Sequence, residues 1–130
     1  MQTEGLRTEL SNRVLVVTPD RAEKKNALTV AMRIALEEIC ARVDADSEVD
    51  VLLLTATDPV FSAGVDIREV GAQGTAMRPT DPGRALRSVG KPVVAAVNGA
   101  CVSGALEIAL SCDFIVASER ARFADTHARL

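Results

Sequence analysis

The stretch Lys91–Leu110, "KPVVAAVNGACVSGALEIAL", decides the reading of the whole chain. Its first part is a continuous apolar run without a helical stripe, which predicts a buried strand. The strand breaks at Asn98-Gly99. From Ser103 the pattern turns helical, so "SGALEIALS" predicts a helix opened by three small residues, Ser103-Gly104-Ala105. The first N–H groups of a helix have no intrahelical partner. They can hold a developing negative charge.

A second place upstream has the same design. "VDVLLLTAT" (Val49–Thr57) predicts a strand buried on both faces. It runs through a turn at Asp58-Pro59 into "VFSAGVDI", with glycine at Gly64. In both places an apolar strand enters a small-residue turn and a charged residue follows. Small residues let backbone approach a ligand closely. One N–H from each turn would together make an oxyanion hole, in which losing one donor costs about 10²–10³ in rate. The plainer reading is that these glycines serve packing alone. Glu107 weighs on the chemical side, because a carboxylate in the apolar stretch "GALEIALSC" is costly unless paired or used. Buried there, it would suit general acid–base work. On the other reading it is a solvent-facing helix position.

The rest of the chain fits an α/β order. "NRVLVVTP" (Asn12–Pro19) predicts a strand and turn. "DRAEKKNAL" is a charged loop. Thr29 is a candidate N-cap. The helix that follows carries a stripe of Met32, Ala35, Leu36, Ile39 and Val43. "GAQGTAMRPTDPG" (Gly71–Gly83) has no periodicity and reads as a long loop of the kind that is more often functional than idle. "DFIVASERARFAD" predicts two short strands around a polar turn. The order β-α-β-loop-β-α-β-β indicates α/β layering. No internal repeat or linker divides residues 1–130, so one domain is expected.

Composition narrows the partners. The 130 residues are 48% hydrophobic and 25% charged, enough for a core and a wet surface. Aromatics make up 2% with no Trp or Tyr, and net charge is −3. Neither favours nucleic acid. No apolar run reaches the roughly 20 residues of a membrane span. Cys40, Cys101 and Cys112 form no C-x-x-C pair and read as buried reduced thiols of a cytoplasmic protein. One histidine and scattered cysteines argue against a transition-metal site. Arg21, Lys24, Lys25 and Arg68 flank the first glycine turn. They read as surface charge by default, or as contacts for a phosphate-bearing ligand.

Three pieces together resemble the crotonase family, the enoyl-CoA hydratase/isomerase group. They are "NAL" (Asn26–Leu28), "VLLLTATDPVFSAGVDI" (Val51–Ile67) and "KPVVAAVNGACVSGALEIALSCDFIVASERARFA" (Lys91–Ala124). The resemblance implies a spiral of ββα units with two sheets, here the N-terminal part of such a domain with the C-terminal part absent. It implies an acyl-CoA thioester as substrate, with coenzyme A part of the substrate and no separate cofactor. By it, the thioester oxygen lies between the N–H groups of Val65 and Gly104. Val65, Asp66, Ile67, Arg68, Gly104 and Lys24 line coenzyme A, and Glu107 is the first catalytic glutamate. Trimers or paired trimers are also implied for the full length.

The sequence departs from the family's pattern in "FADTHARL". His127, the sole histidine, stands where the second hydratase glutamate is expected. It reads as a pocket acid–base group, a hydrogen-bonded filler or an exposed residue. A neutral imidazole accepts a proton near neutral pH. Asp125 is an alternative acid. The resemblance implies hydration of a 2,3-enoyl-CoA. The alternatives are double-bond isomerisation or another crotonase-type reaction, an inactive coenzyme A-binding piece, and a hydrolase using Ser103 and His127, similar to Clp-type serine peptidases.

Overall fold

Thr29 starts the longest helix. Its side-chain oxygen accepts the Met32 N–H at 3.1 Å, and helix α1 then runs over Val30–Val43. The expected stripe of Met32, Ala35, Leu36, Ile39 and Val43 is buried, joined by Cys40. The computed structural model describes residues 3–66 and 79–126. Its other elements are β1 (Leu6–Ser11), β2 (Val14–Pro19), β3 (Val51–Leu54), α2 (Pro82–Arg87), β4 (Val93–Val97), β5 (Ala100–Val102), α3 (Gly104–Leu110), β6 (Phe114–Ala117) and β7 (Arg122–Ala124).

Five strands form the main sheet in the order β1-β2-β3-β4-β6, and β5 pairs with β7 in a second, smaller one. Only β1 is antiparallel to its neighbour. Two isolated parallel bridges, Leu28 with Val65 and Ser62 with Cys101, extend the small sheet. A repeating unit emerges. A strand of the main sheet is followed by a short strand-like segment of the small sheet and then a helix. It appears as β2, Leu28, α1, then as β3, Ser62–Val65, α2, then as β4, β5, α3. This is the α/β spiral of ββα units that the resemblance implies.

Val17, Leu52, Leu54 and Val93 of the main sheet join Met32, Leu36, Ile39 and Val43 of α1 in one buried cluster. Burying each such side chain contributes roughly 1.5–3 kcal/mol. Lys91 ties the far end of α1 down, its Nζ donating to the carbonyls of Val43, Asp46 and Val49 at 2.6–2.8 Å. The expectation that β3 is buried on both faces needs correction. Leu52 and Leu54 are buried but Val51 and Leu53 are only half-buried, because among the described residues the helices cover one face alone. Leu110, Phe114, Val116 and Phe123 are exposed. No helix among the described residues is long and apolar enough to cross a membrane.

All three thiols are free, with Cys40 and Cys101 buried and Cys112 half-buried. Burial pushes Cys40 and Cys112 up to about 12 and Cys101 up to about 11 from an ordinary value near 9. A raised folded value means that the protonated thiol is favoured by folding. Its contribution to stability is complete below about pH 9 and is lost as pH rises through the folded values near 11 and 12. Chemical denaturation between pH 8 and pH 12 is therefore expected to show falling stability above about pH 9. At pH 8 a thiol reagent should modify the buried Cys40 and Cys101 only as fast as the protein opens. Modification at the rate of free thiols would contradict this account.

Candidate active site

Three chain segments lie side by side to build the site. Ala63 N–H donates to Lys25 O at 3.0 Å, Leu28 N–H to Gly64 O at 2.8 Å and Asp66 N–H to Leu28 O at 3.0 Å. On the other edge, Ser62 N–H donates to Ala100 O at 3.1 Å and Val102 N–H to Ser62 O at 3.2 Å. Residues 62–66 are thus held between the NAL segment and β5. Gly64 adopts φ +98°, a conformation glycine tolerates and side-chain-bearing residues rarely do.

This pairing aims the Val65 N–H. The Gly64 carbonyl and the Val65 N–H belong to one planar trans peptide and point in opposite directions. With the carbonyl fixed on Leu28, the N–H points away from Leu28. Neither Val65 N–H nor Gly104 N–H meets an acceptor among the described residues. The two turns are in contact. A methyl group placed on Gly64 would stand 3.4 Å from Gly104 N, and one on Gly104 would stand 3.7 Å from Val65 N and 3.2 Å from Val65 Cγ2.

Val65, Gly104 and Glu107 line one cleft of about 130 Å³, together with Arg33, Thr80 and Asp81. Three predicted residues from distant parts of the sequence therefore meet. The burial expected for Glu107 is not found, since its side chain is exposed. Helix α3 buries Ala105, Ile108 and Ala109, and Glu107 falls on the opposite side, at the cleft. Ser103 precedes the helix at φ 55°, with its N–H on Ala124 O at 3.0 Å. Its hydroxyl is hydrogen-bonded to that of Thr126. Asp125 is exposed.

The residues expected along coenzyme A divide. Asp66 is buried, and its carboxylate pairs with the Arg21 guanidinium at 3.3 Å. Arg21 also donates to Ala27 O at 2.6 Å. Both side chains are thus engaged in holding the turn, and Arg21 does not stand as a free surface cation. Lys24 and Lys25 are exposed. Ile67, Arg68 and His127 lie outside the described residues.

Sequence reasoning missed Arg33, Thr80 and Asp81. Arg33 donates to Thr80 Oγ1 at 2.8 Å, and Asp81 caps α2 by accepting the Arg84 N–H at 3.1 Å. The pair Asp81-Pro82, an N-cap followed by proline at the first helical position, was the available signal for that helix.

A sequence profile described as enoyl-CoA hydratase/isomerase matches residues 9–130. A protein named probable enoyl-CoA hydratase 1, peroxisomal, from Arabidopsis thaliana is 36% identical over 122 residues, covering 92% of this chain and 46% of the relative. The crystal structure of enoyl-CoA hydratase from Mycobacterium tuberculosis H37Rv superposes with a TM-score of 0.83 at 43% identity, covering 97% of this chain and 53% of that one. An enoyl-CoA hydratase/isomerase from Xanthobacter autotrophicus Py2 reaches 0.89 at 28% identity, over 98% of this chain and 51% of its own. The chain spans about half the length of the relatives it matches. With residues 9–130 matched and the fold shared, the chain belongs to the enoyl-CoA hydratase/isomerase family.

Proposed function

We propose that the cleft binds the thioester end of an acyl-CoA and that the protein built on it hydrates 2,3-enoyl-CoA. The observation that carries this reading is that Val65 and Gly104, whose N–H groups meet no acceptor among the described residues, line one cleft with the Glu107 carboxylate. Two donors on the thioester oxygen polarise the C=O and draw charge from the conjugated double bond. Cβ becomes electrophilic, and an enolate-like oxyanion forms as water attacks. Preorganised donors do not reorient at that moment, which is why each is worth so much.

Glu107 stands at the cleft to handle the proton. As the water oxygen bonds to Cβ, one proton must leave that water and one must reach Cα. Glu107 serves one or both transfers, with His127, which stands where the family pattern has its second glutamate, as the partner for the second. Exposure of Glu107 leaves its carboxylate open to substrate. Double-bond isomerisation uses the same oxyanion and a single acid–base group, and so remains the alternative. The Ser103–Thr126 hydroxyl contact occupies the nucleophile of the hydrolase reading. Trimers or paired trimers at full length and a cytoplasmic location belong to the same reading. The word peroxisomal belongs to the plant relative.

Hydration of crotonyl-CoA, followed by loss of the conjugated thioester absorbance, tests the reading. Glu107→Gln is expected to lower the rate about 10²–10⁴-fold. Gly104→Ala puts a methyl group 3.7 Å from Val65 N and 3.2 Å from Val65 Cγ2 and is expected to cost about 10²–10³-fold, with coenzyme A affinity retained. Wild-type rates in both variants would overturn the assignment. Binding without turnover by the unaltered chain would make it a coenzyme A-binding piece.

A further inference from the structure

We infer that Asn26 and Ser62 are positioning residues that set the direction of the Val65 N–H. This rests on the thioester-polarising role proposed above. Asn26 is fully buried and holds a left-handed φ of 53°. Its side-chain amide donates to Thr57 O at 2.8 Å and to Val60 O at 2.7 Å. Its Oδ1 accepts the Arg21 N–H at 2.8 Å and the Thr57 hydroxyl at 3.3 Å. A single amide thereby ties the charged loop to the two ends of the turn that follows β3.

The connection continues into the site. The Asn26 main-chain oxygen accepts the Ser62 hydroxyl at 2.8 Å, and the Ser62 oxygen accepts the Gly64 N–H at 3.0 Å. Ser62 is itself buried. The Gly64 N–H belongs to the peptide before Gly64, and its carbonyl to the peptide after. The first plane is held by Ser62 and the second by Leu28. With both planes fixed, the flexible glycine between them has one conformation, and the Val65 N–H has one direction. A glycine at φ +98° held from one side only would be free to swing that N–H. Misplacement by about 1 Å can cost about 10²-fold in rate.

The test reads hydrogen bonding to the thioester rather than folding. A cinnamoyl-CoA thioester, whose carbonyl stretch falls when its oxygen accepts hydrogen bonds, is bound and followed by difference infrared spectroscopy. The unaltered protein should lower the stretch. Ser62→Ala removes the relay while every Asn26 side-chain bond stays, and should return the stretch most of the way to its free position. Ser62→Cys keeps the volume with a weaker donor and acceptor, and should fall between. Phe61→Leu, at a buried neighbour outside the relay, should lower Tm without moving the stretch. A wild-type stretch in folded Ser62→Ala or Ser62→Cys would overturn the inference. If the unaltered protein binds the thioester without lowering its stretch, the polarising role falls, and the relay with it.

Discussion

The site depends on the hydrogen bond from Leu28 N–H to Gly64 O, 2.8 Å long. It joins the loop before α1 to the turn after β3. By fixing one peptide plane, it turns the Val65 N–H away from Leu28, and Val65 lines the cleft. The companion bond from Asp66 to Leu28 holds the next residue, and Ser62 docks on β5 from the other side. Three segments distant in sequence are thereby fixed against one another, and the N–H pair is a consequence of their register. The Asp66–Arg21 ion pair, largely shielded from solvent, reinforces the same junction. Breaking an ion pair this shielded from one side is costlier than loss of an exposed pair.

Small side chains make the close approach possible. The cluster behind the turns consists of Ala56, Phe61, Ala95, Val97, Cys101, Ala105 and Ala109. Alanine and cysteine let α3 settle near the sheet, so that Gly104 reaches Val65. At Gly99 a methyl group would come within 2.0 Å of Pro59 O, so the turn between β4 and β5 packs directly on the turn after β3. The larger cluster under α1 supplies most of the apolar burial. The smaller one gives up bulk for proximity, as expected where a core must deliver backbone groups to a site.

Legibility in the sequence follows the strength of the local signal. The α1 stripe and its Thr29 cap were readable because burial there is one-sided and periodic. The break at Asn98-Gly99 was readable, and it marks the passage from the main sheet to the small one. Strand β1 left no signal, since Leu6 is its only buried residue. Its hairpin turn uses Asn12 and Arg13, both at positive φ, without the glycine that usually announces such a turn. Of the two readings of Glu107 the solvent-facing one holds: apolar neighbours do not imply burial here, since Leu110 on the same helix is itself 68% exposed. The meeting of Val65, Gly104 and Glu107 followed from family resemblance. The Asn26 bonds to Thr57 and Val60 and the Ser62 bond to Asn26 span 31 to 36 residues and have no local pattern to betray them.

The central claim is that two backbone N–H groups act together on one oxygen. Amide proton NMR on titration with crotonyl-CoA measures this most directly. The account predicts that the Val65 and Gly104 amide protons move downfield together, with a common saturation. Binding that shifts other amides while these two stay in place would contradict it.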